Sequence, residues 1–198
     1  MTRIVAGFAG SLTLQVPKNG TRPTSDRVRE AIFSALDARD AVHGARVLDL
    51  YAGSGALALE AVSRGAASAV LVEKNAAAAQ VCRRNAAALA VSARAASRHA
   101  PHPLPTIDVR AGTVSSYLTG ASGPFDVVFI DPPYDLPDHE LLDVLSVLVS
   151  LLAEDAIVCV ERSARDPEPT LPAGLRLERR KDYGETAIFW MSPVPSAA

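Results

Sequence analysis

The chain has 198 residues, 48% of them hydrophobic and 21% charged, and a net charge of −2. That composition is ordinary for one globular domain with room for a real core. Cys82 and Cys159 fit no metal or redox spacing, and the N-terminal apolar run is too short for a signal peptide. The longest apolar region, "LLDVLSVLVSLL", carries Asp143 and two serines. Secretion, membrane insertion and a metal site are therefore poor readings, and reduced thiols in a cytoplasmic protein are expected.

In chain order, the first 17 residues read as a β-hairpin around a Gly-rich turn, and "NGTRPT" as a loop. A helix then starts at a Ser or Thr cap. Its stripe is Val28, Ala31, Ile32, Ala35 and Leu36, which leaves Arg27, Arg29 and Arg39 to solvent. From Arg46 onward strands and helices alternate. Strands are predicted near 46–51, 68–73, 106–110, 125–131, 156–161, 174–181 and 185–191, and helices near 55–64, 75–91, 113–119 and 138–152. The order is that of an α/β doubly wound sheet. Only "DYGE" joins the last two strands, so they form an antiparallel hairpin. The stretch "NAAALAVSARAASRHAPHPLP" reads as a linker with little helix, and "SARDPEPTLPAG" as a Pro-rich loop.

Charge is divided along the chain. Residues 1–39 hold six basic groups against three acids, whereas Asp126 to Glu161 hold nine acids and no Lys or Arg. A polyanion can meet one such region without a basic protein overall.

"RVLDLYAGSGALALEA" is a strand, a Gly-rich turn and a helix start, with Gly53, Gly55 and Ala58 in a G-x-G-x-x-A pattern. The next strand ends on Glu73, placed to accept hydrogen bonds from two ribose hydroxyls. The pattern alone fits NAD as well as S-adenosylmethionine. Asp49 distinguishes them, because a carboxylate beside the turn repels a pyrophosphate and attracts a sulfonium and an ammonium group. The methyl donor is favoured over the dinucleotide.

In "FIDPPY" a buried strand runs into Asp131, Pro132, Pro133 and Tyr134. The prolines remove two backbone donors, so the corner presents a carboxylate and carbonyls to something carrying N–H groups. Tyr134 adds an aromatic ring to the same corner.

These motifs resemble those of class I, Rossmann-like amino-methyltransferases. "RIVAG", "RPTSDRVREAIFSAL" and "YGET" narrow the resemblance to the RsmD family, bacterial small-subunit (16S) ribosomal RNA guanine-N2 methyltransferases, from Arg3 to Trp190. The resemblance implies a methyltransferase domain over 25–198, with an N-terminal hairpin and basic loop, 1–24, that contacts RNA. It implies Asp131 to Tyr134 as the catalytic corner. Asp49, Tyr51, Ala52, Gly53, Gly55, Glu73, Lys74, Gly112, Thr113 and Asp131 would line the cofactor, and Arg3, Arg22, Thr24 and Arg27 the RNA. Thr113 departs from the Asp or Asn that related enzymes often set against adenine. The implied partner is 16S rRNA in an assembled or assembling small subunit, met by a monomer with no metal and no membrane.

Rival readings are a DNA adenine-N6 or other amino-methyltransferase, an NAD-dependent oxidoreductase and a non-catalytic RNA-binding module. Little room remains for a DNA target-recognition domain, and protein glutamine methylation more often pairs with Asn in place of Asp131. The oxidoreductase lacks an evident proton donor, and a binding module has no use for Asp131 or Glu73.

Overall fold

"RVLDL", "SAVLVE" and "FDVVFI" are short, nearly continuous apolar runs, the pattern of parallel strands covered on both faces. They form the centre of a seven-stranded sheet in the computed structural model, which describes residues 2–17, 26–99 and 103–195. In chain order the elements are β1 (Thr2–Arg3), β2 (Thr13–Leu14), α1 (Asp26–Asp37), β3 (Arg46–Leu50), α2 (Ala56–Ser63), β4 (Ser68–Glu73) and α3 (Ala76–His99). There follow β5 (Thr106–Ala111), α4 (Val114–Thr119), β6 (Phe125–Ile130), α5 (Asp138–Leu148), β7 (Leu152–Ser163), β8 (Leu175–Tyr183) and β9 (Thr186–Pro193).

The sheet order is β5-β4-β3-β6-β7-β9-β8. β3 pairs parallel with both β4 and β6, so the chain reverses its direction of winding between β3 and β6. β9 lies antiparallel between β7 and β8. This is the expected Rossmann-like doubly wound sheet of a class I methyltransferase with its C-terminal antiparallel hairpin. Side-chain alternation divides the core. Val47, Val127, Phe129, Cys159, Ile188 and Trp190 face α1, α2 and α3. Leu48, Leu50, Val128, Ile130, Phe189 and Met191 face α4 and α5.

Three expectations change. The Ala-rich stretch is helix as far as His99, well past the predicted end near 91. Alanine is the best helix former, and Ala86, Leu89 and Ala93 make a buried stripe at helical spacing, which the composition alone concealed. β7 is longer than predicted at both ends, because Leu152 pairs with Phe125 of β6 and the pairing with β9 continues to Ser163. Arg29 is 1% exposed and not at the solvent face. Its Nη2 donates to the Arg3 carbonyl and to Asp26, which ties α1 to β1. The N-terminal hairpin forms as expected, with two residues in each strand.

That N-terminal segment is held by buried polar side chains of the main sheet's helices. The Glu60 carboxylate accepts from the Val5 and Ala6 amides at 2.7 and 3.0 Å. Ser63 accepts from Ala9 N and donates to the Ala6 carbonyl. Ile4, Ala9 and Leu14 complete the packing within the α1-side core.

Candidate active site

The site lies at the carboxyl ends of β3, β4 and β6, where the winding reverses and open α/β sheets leave a crevice. Asp49 stands level with Phe129 on the neighbouring parallel strand. Asp131 lies two residues beyond Phe129. Asp49 on β3 and Asp131 just past the end of β6 are thus close enough for the Asp131 charge to act on Asp49.

Asp49 is 1% exposed, and its Oδ2 accepts from the Ala58 amide at 3.2 Å. α2 begins after Gly55, which has no side chain to cap it, and Asp49 reaches across from β3 to serve its first turn. The carboxyl is nevertheless pushed up to about 8. Burial is the main cause, the Ala58 N–H opposes it, and the charges of Asp131 and Glu73 raise it further. A buried carboxylate in that condition gains most from a cation.

The turn between β3 and α2 gives its two glycines different tasks. Gly55 has φ +81°, and a Cβ there would meet Leu71 Cδ2 at 2.8 Å and Cys82 Sγ at 2.9 Å, so the turn packs directly onto β4 and α3. Gly53 has φ +55° and open space where its Cβ would be. Tyr51 also has positive φ, 68°, with its ring against the α5-side core. Burial first, and then Glu140, raise the Tyr51 hydroxyl above its ordinary value. The Ala52 amide donates to the Val72 carbonyl, fixing the turn to β4.

Glu73 is more constrained than the spacing indicated. Its Oε2 accepts from the Gly53 amide at 2.8 Å and its Oε1 from the Asn75 amide at 2.7 Å. Each oxygen keeps a second lone pair for a hydroxyl, so the two loops fix the carboxylate without exhausting it. Lys74 is exposed beside it. The Gly112 amide donates to the Glu73 carbonyl, and Gly112 faces open space. Thr113 caps α4, its hydroxyl accepting from Ser116 N at 3.2 Å.

Asp131 is half-buried, Pro132 buried, and Tyr134 is 56% exposed. The corner closes through the Leu136 amide, which donates to the Pro133 carbonyl, while Arg162 Nη1 donates to the Leu136 carbonyl at 3.1 Å. Arg162 is a supporting residue that sequence reasoning missed, although it is the first cation after the long acidic segment. Asn85 was missed as well. Its amide donates to the Ser54 and Gln15 carbonyls and accepts from Gln15 N, joining the Gly-rich turn to the N-terminal segment. Glu60, a lone acid in an apolar helix, was the readable sign of such an anchor.

Of the residues assigned to RNA, Arg3 lies on β1 with its carbonyl bound by Arg29, and Arg27 is exposed in the first turn of α1. Arg22 and Thr24 lie outside the described residues. Among the described residues no helix is long and apolar enough to cross a membrane.

The donor set fits S-adenosylmethionine. A buried carboxylate awaits a cation, a second carboxylate retains acceptor capacity for a ribose, and Gly53 and Gly112 leave open space between them.

Known proteins point the same way. The chain is 37% identical over 194 residues to ribosomal RNA small subunit methyltransferase D of Escherichia coli K12, covering 93% of this chain and 86% of that protein. It is 30% identical to the protein of that name in Haemophilus influenzae, covering 92% and 89% of the two. A solved hypothetical protein of Thermus thermophilus superposes with a TM-score of 0.77 at 30% identity, over 98% of this chain and 100% of that one. The family model described as Conserved hypothetical protein 95 matches residues 2–192. The chain therefore belongs to that family, the RsmD family of methyltransferases.

Proposed function

We propose that this protein transfers a methyl group from S-adenosylmethionine to the exocyclic N2 of a guanine in small-subunit (16S) ribosomal RNA, in the cytoplasm and as a monomer. The observation that carries the reading is the pair Asp49 and Asp131, one buried and one half-open, at the carboxyl ends of adjacent strands where the winding switches. The likeness to small subunit methyltransferases D over most of the chain supports RNA as the acceptor.

Bound there, the cofactor supplies an electrophilic methyl group. Asp49 would hold its positive methionine end and Glu73 its ribose. Tyr51, Ala52, Gly53, Gly55, Lys74, Gly112 and Thr113 would complete the walls. On the acceptor side a guanine amine is a weak nucleophile, its lone pair being conjugated into the ring. The Asp131 carboxylate and the Pro132 carbonyl accept its two N–H groups, and Pro133 keeps the corner rigid. So held, the nitrogen directs its lone pair across the cleft, and positioning supplies much of the acceleration. The proton released on transfer leaves through Asp131 or water. Tyr134 offers its exposed ring to the extruded base. Arg3, Arg22, Thr24 and Arg27, all in the N-terminal part of the chain, would position the surrounding backbone, since phosphate contacts orient and base contacts specify.

A transfer assay with labelled S-adenosylmethionine tests this reading, offering naked small-subunit RNA and intact small subunits from cells lacking the activity. Label recovered as N2-methylguanine is the expected outcome, and the preferred substrate identifies the assembly state recognised. Label in a nucleoside other than N2-methylguanine, or none in either RNA, would overturn it.

A further inference from the structure

The catalytic corner and the N-terminal segment leave unexplained a concentration of cations on the outermost strand. β8, "LRLERRKDY", is the edge of the sheet. Its pairing with β9 slips between Leu177 and Arg179, so that Arg179 is level with Trp190 and Lys181 with Ile188. Trp190 and Ile188 face α1. Arg176 is level with Ser192 and donates to its hydroxyl, two positions along β9 from Trp190. The extra residue at Glu178 therefore returns Arg179 and Lys181 to the face that Arg176 already occupies.

All three are exposed. Arg39, just past the end of α1, joins them across the sheet edge. It pairs with Glu178 at 2.8 Å and stands over the Trp190 ring at 6.0 Å, with Arg179 over the same ring at 5.4 Å. Glu178 is the acid that pairs with Arg39 directly, while Asp40, Asp126, Glu154 and Asp155 line the cavity beside Arg39 and Arg176. Burial alone would raise the Glu178 carboxyl, but hydrogen bonds from Arg39 and Ser192 and the Arg39 and Arg176 charges hold it below the usual range. It thus neutralises one cation of four. On the opposite face of β8, Arg180 is bound by Asp182 and by the Ala164 carbonyl. Charge on an edge strand guards against unwanted pairing, but that purpose does not call for a bulge that gathers the cations on one face.

β8 runs in the same direction as β7 and β6, because β9 is antiparallel to both of its neighbours. The series Arg176, Arg179, Lys181 accordingly climbs the sheet toward the end that holds Asp131, with same-face side chains spaced about 7 Å apart along the strand.

We propose that this face of β8, with Arg39 beside it, is a track for the phosphate backbone of the RNA, contacting a segment away from the target nucleotide. The inference rests on RNA being the acceptor. It explains how a chain of net charge −2 holds a polyanion, since Arg179 and Lys181 lie outside the cavity in which Asp40, Asp126, Glu154 and Asp155 stand beside Arg39 and Arg176.

The test is binding of naked small-subunit RNA to the full-length protein across a salt series, comparing wild type with R176Q/R179Q/K181Q. Each lost phosphate contact lowers the slope of log K against log salt by ~0.7 on single strands, so the triple variant should lose ~2 in slope and about 100-fold in affinity near ~0.1 M salt. The charge-preserving R176K/R179K/K181R should recover the wild-type slope. S-adenosylmethionine affinity and melting temperature should stay at wild-type values in both, which separates the track from a folding defect. A triple variant with the wild-type slope would overturn the track while leaving the methyltransferase reading intact. Loss of binding to assembled subunits alone would overturn it in favour of a protein contact. A wild-type protein that neither binds nor methylates small-subunit RNA would remove the functional reading itself.

Discussion

The two sides of the crevice are built differently. On the proposed cofactor side, Asp49 accepts from Ala58 and Glu73 from Gly53 and Asn75, and Asp49 and Glu73 are at most 9% exposed. On the acceptor side, Asp131 is half-buried and Tyr134 mostly exposed, on a corner buttressed from behind by Arg162. A site for a small diffusible cofactor can be finished within one fold. A site for a base within a large RNA is completed only when the RNA arrives, so its surface stays open. Substitutions on the two sides should therefore separate cofactor binding from transfer.

The largest separation should come from Asp131→Ala. Removing the acceptor for the amine is expected to slow methyl transfer by ~10²–10³-fold, the scale for one lost charge-assisted contact in a transition state. S-adenosylmethionine should still bind. Because the Asp131 charge helps to raise Asp49, its removal should also move the pH dependence of cofactor binding downward. Single-turnover transfer and calorimetry over a pH series check both halves. Equal loss of binding and transfer would show that the two sides are not separable.

The glycines sharpen the contrast within the cofactor side. Gly55→Ala forces a Cβ against Leu71 and Cys82 at positive φ, and should cost about 2–4 kcal/mol of stability. Gly53→Ala meets nothing within 4 Å and should cost only about 1 kcal/mol, from its φ. Its methyl group would, however, enter the space assigned to the cofactor. Chemical denaturation with parallel cofactor titration should find Gly55→Ala less stable and Gly53→Ala weaker in binding.

Asp49→Asn keeps the acceptor for Ala58 and removes the buried charge. Cofactor affinity should fall by ~10–100-fold, the value of a hydrogen bond to a charged group. The pH dependence provides the signature. With its carboxyl raised to about 8, Asp49 is protonated in the free protein near neutrality and must ionise to meet a cation. Affinity should therefore climb with pH until about 8 and then level. Stability behaves oppositely. The folded state retains a proton that the unfolded chain releases above ~4, so this contribution is full below that pH and is lost as pH rises toward 8. The Asn variant should lack both slopes.

How much of this was legible in the sequence depended on whether the signal was local. The strands carrying Asp49, Glu73 and Asp131 are continuous apolar runs, and the Gly-rich turn between β3 and α2 is specified by residues within a few positions of one another. The end of α3 was missed because an Ala-rich composition resembles a linker until its buried stripe is seen against the sheet. Arg29 was placed in solvent because its partners, the Arg3 carbonyl above all, are set by the hairpin's docking. Asn85 and Arg162 act on carbonyls of distant segments, and no spacing rule connects residue 85 with 15 and 54, or 162 with 136. Motif residues reveal what meets the ligand. The side chains that hold the motifs in place become visible only with the fold.

Tyr134 gives the smallest effect and a specific one. Its ring is 56% exposed, so truncation should leave stability within about 0.5 kcal/mol of wild type. If the ring receives the extruded base, Tyr134→Ala removes a stacking partner worth ~1–3 kcal/mol, and kcat/KM for the RNA should fall by roughly 10–100-fold. Tyr134→Phe keeps the stacking face and loses only the hydroxyl, so it should transfer at close to the wild-type rate. Cofactor affinity should be unchanged in both, because the ring lies on the open side of the crevice. Steady-state kinetics with RNA as the varied substrate make the measurement. A Phe variant as impaired as the Ala variant would assign the residue's contribution to its hydroxyl, and the open side of the site would then recognise its base by hydrogen bonding in place of stacking.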